Sequence, residues 1–141
     1  METCNSYVKF SLCGDDFDPK IITEKIGLEP TRCWRKGDKG EYNPDLKYSC
    51  WTISTEKGKE YINIDKLVDE IVTRLSDKIE IIIELKQIFN LHSVLGIVLD
   101  IDTNQDKSTP AIGHDLKTID FLYRTQTTTD IDIYRFDSSI K

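Results

Sequence analysis

The chain is poor in the residues that carry most catalytic and metal chemistry, with only two histidines, His92 and His114, and four cysteines in 141 residues. Cys4, Cys13, Cys33 and Cys50 stand 9, 20 and 17 residues apart with no C-x-x-C pair, which matches no zinc template. Neither histidine has a Ser or Cys partner at a recognised nucleophile spacing. Met1 to Ser6 has no basic region leading into an apolar core, so no secretory signal is legible. A chain of this size without one needs no disulfides, and the four thiols are expected to be free. The longest apolar stretch, Val94 to Leu99, is far too short to cross a bilayer. Basic excess is missing as well. Nineteen Lys plus Arg against 25 Asp plus Glu leave a net charge of −6, which argues against a general grip on nucleic acid or on an anionic membrane. A cytoplasmic protein is expected.

What is present suffices for one α+β domain over residues 1–141. Hydrophobic residues make up 38% and charged residues 31%, polar but well short of a disordered composition. Tyr7 to Cys13 alternates as a half-buried strand, with Val8, Phe10 and Leu12 on one side. Asp18-Pro19 opens a helix that Gly27 closes. Arg32 to Lys36 predicts a short edge strand joined through a long tip to a strand over Tyr48 to Ser54. Asn63 or Asp65 caps a helix with Ile64, Leu67, Val68, Ile71, Val72 and Leu75 on one stripe, and Lys78 to Phe89 predicts a second helix. Val94 to Asp102 reads as a central strand covered on two sides. His114 to Tyr123 carries Leu116, Ile119, Leu122 and Tyr123 at helical spacing, and Thr129 to Phe136 closes as a strand. The order β-α-β-β-α-α-β-α-β predicts a mixed or antiparallel sheet of about five strands with helices on one face, a ferredoxin-like core with an added α-β unit.

Several short motifs fall in a distinctive order: Phe10-Ser11-Leu12-x-Gly14-Asp15, Asp18-Pro19-x-x-Ile22-Thr23-x-x-Ile26-Gly27-Leu28-x-Pro30-Thr31, Lys36-Gly37-Asp38, Trp51 with Ser54, and Asp130-Ile131-Asp132-Ile133-Tyr134. In this order and spacing the chain resembles the bacterial family catalogued as domain of unknown function 4279 over nearly its whole length. The resemblance implies a bacterial cytosolic setting and supplies no catalytic residues. By analogy with other small acidic domains, it also makes an immunity protein of a toxin system a reading to weigh.

Three constellations are candidate sites. The first is a basic island, Arg32, Arg35, Lys36 and Lys39 around Trp34. Residues 32–39 carry +3 and the rest of the chain −9, and guanidinium forks beside an indole suit an oxyanion or an acidic partner. Lys36-Gly37-Asp38-Lys39-Gly40 lacks the spacing of a phosphate loop. The alternative is a solvated hairpin with Trp34 packed on the core. The second is acidic, Asp100 and Asp102 on one strand with Asp130 and Asp132 on another. Convergence of the four would hold a hard cation, whereas a merely soluble sheet face asks nothing of them. The third is the sheet face away from the helices, where Lys9, Ser11, Tyr48, Cys50, Thr52, Asp132 and Tyr134 collect by strand parity, either as a binding platform or under a dimer partner or the long loop.

No cofactor is implied. The leading expectation is a non-enzymatic protein-binding module, immunity-type or accessory, that meets another protein through the basic hairpin and the open sheet face, as a monomer or homodimer. A small-molecule or phosphate-ligand-binding domain using Arg32, Arg35 and Lys36 is the second reading, and a metal-dependent enzyme using paired aspartates the third.

Overall fold

Alternation fixes the central strand. In β1 (Tyr7–Gly14) Val8, Phe10 and Leu12 are fully buried while Lys9, Ser11 and Cys13 on the other side are half-buried. The computed structural model describes residues 6–57 and 63–140, and there β1 pairs antiparallel with β3 (Ser49–Ser54) and with β4 (His92–Asp102). The edge strand β2 (Arg32–Trp34) lies antiparallel outside β3, and β5 (Thr127–Phe136) lies parallel outside β4. The spatial order is β2-β3-β1-β4-β5, so the fold is α+β with a five-stranded mixed sheet. Two β-α-β units interleave, β3 standing between β1 and β2, and β1 between β3 and β4. The added unit supplies β5.

The helices are α1 (Pro19–Ile26), α2 (Ile64–Leu75), α3 (Ile79–Phe89) and α4 (Leu116–Thr125). Side-chain oxygens of Asp18, Asn63 and Asp115 accept from Lys20 N, Asp65 N and Thr118 N to start α1, α2 and α4, satisfying backbone donors that a helix start leaves unpaired. Gly27 ends α1 at φ 79°, a left-handed conformation that costs glycine nothing. The stripe of α2 is buried at all six of its apolar positions. These helices cover one face of the sheet, where Phe10, Trp51, Ile53, Leu95, Ile97 and Leu99 meet Ile22, Ile71, Ile82 and Phe121 in a single core. Trp51 is 0% exposed, and its Nε1 donates to Thr23 Oγ1 of α1 at 3.0 Å, so the largest core side chain leaves no polar atom unsatisfied.

Several expectations are corrected. The first arm of the hairpin stops at Trp34 rather than Lys36, because Arg35 N donates to Asp38 Oδ2 at 2.8 Å and Gly37 adopts φ 93°, which turns the chain out of the sheet. The central strand starts at His92 rather than Val94, since Asn90 at φ 53° ends α3 abruptly. The helices cover β4 on one face only; on the other the stem of Lys9 lies over Gly96, where a Cβ would come within 3.0 Å of Lys9 Cε. In α4 the buried face is Thr118, Phe121, Leu122 and Thr125, while Leu116, Ile119 and Tyr123 are exposed at 83%, 48% and 75%. The packing of Phe121 against Phe10 in the core sets that phase. The free-thiol expectation fails at Cys13 and Cys50, which face each other across β1 and β3 and are disulfide-bonded. Cys33 is free and exposed, and Cys4 lies outside the described residues.

Candidate functional site

Every side chain on the uncovered face follows from register. Across the strands run the rows Trp34–Cys50–Cys13–His92, Arg32–Thr52–Ser11–Val94–Thr128, and Ser54–Lys9–Gly96–Asp130. Apart from the row ends His92 and Thr128, they line, with Tyr7, Tyr48 and residues of the loop after β3, a concavity of about 610 Å³, within the size range of ligand and side-chain pockets. At the β2 edge the Arg32 guanidinium carbon stands 4.9 Å from the centre of the Trp34 ring, and Trp34 meets Tyr48 edge-on at 5.6 Å. At the other end of β1, Lys57 Nζ lies 5.7 Å from the Tyr7 ring centre. The floor carries a Ser11–Thr52 hydroxyl pair at 2.9 Å and the Cys13–Cys50 bond. Asp130 and Asp132 close the far side. Cations therefore stand at β1, β2 and the loop (Lys9, Arg32, Lys57), and carboxylates on β5 (Asp130, Asp132), with Glu56 of the loop beside Lys57.

The structure divides the basic island. Arg32 and Trp34 face the groove, and Trp34 lies on the open face against Tyr48, not on the core. Arg35 and Lys36 turn away to the loop between β1 and α1, where Arg35 Nε is 3.1 Å from Asp16 and Lys36 Nζ 3.2 Å from Asp15. Both pairs are half-exposed or more and contribute about 0–1 kcal/mol each, but they answer the local charge. Lys39 stays exposed at the tip. Beneath them Ser49, fully buried, accepts from Phe17 N at 3.1 Å and from Lys36 N at 2.9 Å, tying the two loops together.

The four aspartates share the open side without converging as a set. Asp130 stands opposite Gly96, Asp132 opposite Val98, Asp100 opposite Tyr134 and Asp102 opposite Phe136. Asp102 is already engaged, its Oδ1 accepting from Asn104 N at 3.0 Å and Ser138 N at 3.1 Å. Desolvation pushes its carboxyl up, but the hydrogen bonds from Ser138 and Asn104 and the charge of Lys107 outweigh it and hold the group below its ordinary value. Among the described residues no group of three or more His, Cys, Asp or Glu is placed to hold a metal. Tyr134 is 62% exposed beyond the groove.

Lys86 of α3 forms a pair that resembles catalytic chemistry and is structural. Its Nζ donates to Ser93 Oγ at 2.8 Å and to the carbonyls of Thr125 at 2.8 Å and Gln126 at 2.7 Å, and burial lowers its pKa. Ser93 is 3% exposed and spends its hydroxyl on Thr127 at 2.7 Å. A nucleophile needs an approach path; here the ammonium caps the end of α4. Among the groove residues outside the sequence-derived candidates are Tyr7, Glu56 and Lys57. Tyr7 shares the parity of Lys9 and Ser11 and was within reach of that reading, whereas Lys57 sits in a loop without periodicity.

A family model described as domain of unknown function (DUF4279) matches residues 2–136. The chain belongs to this family. No curated protein and no solved structure matches it. For this DUF4279 member, the open groove is accordingly read from its own geometry.

Proposed function

We propose that the chain is a non-catalytic protein-binding module, of immunity or accessory type, that receives a segment of its partner in the groove on the open sheet face. The observation that carries this reading is the groove itself, which sets the half-buried Tyr7 and Trp34 and the exposed Tyr48 among Lys9, Arg32 and Lys57, none of which has a carboxylate ion-pair partner among the described residues. Arg and Trp are the usual anchors of protein interfaces, contributing about 2 kcal/mol or more each. Asp130 and Asp132 then select a basic or polar group at the other end of the segment. The basic hairpin contributes Arg32 and Trp34 rather than Arg35 and Lys36, whose charges are met within the chain.

The test is capture of the partner with tagged protein, reconstitution of the purified pair, and titration calorimetry. Arg32→Glu and Trp34→Ala each weaken the complex by about 30-fold or more, while Lys39→Glu leaves it unchanged. A stoichiometric complex indifferent to both groove substitutions overturns the reading. A second reading, an anionic small-molecule site, is favoured by the same three cations. It predicts that phosphate, nucleotides or sugar phosphates raise the melting temperature of the wild type and not of Arg32→Glu.

A further inference from the structure

The two edges of the sheet are treated very differently. β2 is three residues long, the short edge by which soluble proteins avoid unwanted pairing. β5 is ten residues long, contains no Pro, Gly or Lys, and keeps an unbroken register with β4 from Ser93↔Thr127 to Asp102↔Phe136, without a bulge. Its backbone directions can be assigned. Phe136 O accepts from Thr103 N at 2.7 Å on the β4 side, so Phe136, Tyr134, Asp132 and Asp130 aim their peptide groups at β4. By alternation Arg135, Ile133, Ile131 and Thr129 aim theirs at the free edge. The side chains of that outward set lie on the helix side, where Ile131 and Ile133 are 41% and 54% exposed. Beside them runs the uncovered stripe of α4. Lys117 reaches Asp69 of α2 at 3.0 Å, and Ile119, about 200° further round the helix, stands toward the opposite flank, with Leu116 and Tyr123 beyond it turned out to solvent.

We infer that β5 pairs antiparallel with β5 of a second copy, about a two-fold axis through Ile133 normal to the sheet. Such an axis keeps each face on its own side, so it passes through a residue and not between two. Centred on Asp132 it sets Asp132 against itself, and centred on Ile131 it sets Asp130 against Asp132; both oppose like charges. Centred on Ile133 it sets Asp132 against Tyr134 and Asp130 against Phe136. The outward peptide groups then meet in order: Ile133 pairs with its own copy and Ile131 with Arg135, each pair exchanging both its N–H···O bonds. The aliphatic stem of Arg135 covers Ile131 of the second copy, and the two α4 stripes come alongside on the helix face. The resulting ten-stranded sheet ends on both sides in the short β2, leaving no long edge open. The interface is isologous and closed.

Sedimentation of the intact chain over a concentration series tests this. A monomer–dimer equilibrium is expected, the larger species having twice the 16.3 kDa of the chain. Ile131→Lys with Ile133→Lys weakens association by about tenfold or more while the circular dichroism spectrum is retained, because both side chains are exposed. A monomer at every concentration, or a dimer that the double substitution does not move, overturns the proposal. The register is read separately in a Cys4→Ser, Cys33→Ser background. Self-paired residues at a hydrogen-bonded position stand about 5.5 Å apart at Cα, within disulfide reach. Ile133→Cys therefore oxidises to a covalent dimer and Asp132→Cys does not; the reverse pattern, or none, excludes the Ile133 axis.

Discussion

Ser49 shows what one buried hydroxyl can organise. It accepts from the backbone N–H groups of Phe17 and Lys36, so Ser49→Ala leaves two donors without their partner. An unsatisfied buried donor costs about 1–3 kcal/mol; we expect Ser49→Ala to lose about 2 kcal/mol in urea unfolding and to loosen the Arg35 and Lys36 pairs with the loop before α1. Its parity with Trp51 and Ile53 in β3 puts Ser49 on the core face, but the two backbone donors it serves, on separate loops, were visible only in the fold. Trp51 is a parallel case. Its parity with Ile53 put it on a core face from the sequence, and only the position of its Thr23 acceptor required the fold.

α4 is the element in which pattern and packing part company. Leu116, Ile119 and Tyr123 keep helical spacing yet lie in solvent, because the packing of Phe121 and Leu122 into the core, Phe121 against Phe10, fixes how the helix is turned, while Asp115 fixes only where it starts. The Asp115 carboxylate accepts from the Thr118 backbone N–H, and this bond, with the Thr118 hydroxyl and the nearby charges of Lys117 and His114, holds its pKa below the ordinary 3.8 despite opposing desolvation. A carboxyl whose pKa falls on folding stabilises the native state at pH above its ordinary value, and that contribution disappears as the pH drops through the lowered one. Asp115→Ala should therefore melt below the wild type at neutral pH, with the gap closing under acid. In α2 the cap is Asn63, which does not titrate; Asn63→Ala costs about 1 kcal/mol, and thermal melts should show the same loss at acid and neutral pH.

For the whole molecule the covalent link matters most. Cys13 and Cys50 close a span of 37 residues that contains α1, β2 and the long hairpin tip. Such a cross-link restricts the unfolded chain and stabilises by about 2–4 kcal/mol. Reduction is expected to lower the urea midpoint correspondingly, and Cys13→Ser to abolish the difference between reduced and oxidised samples. A Cys4→Ser variant denatured without reductant titrates one thiol, Cys33, and three after reduction; three in both states would mean that the bond does not form in solution.

By itself the sequence determined the order of the nine elements, the α+β class, the cap at Asp18, the choice of Asn63 or Asp65 for α2, and the parity that sends Lys9, Ser11, Cys50 and Thr52 to one face. These depend on neighbours within a turn or a strand, where periodicity and capping chemistry act. Only the tertiary structure decided that Arg35 and Lys36 are answered by Asp16 and Asp15, that the four aspartates stand apart, that Cys13 faces Cys50, and that the α4 stripe and the β5 edge are left uncovered. Each of these depends on which strands become neighbours and in what register, a choice made by the packing of the whole core rather than by any local run of residues.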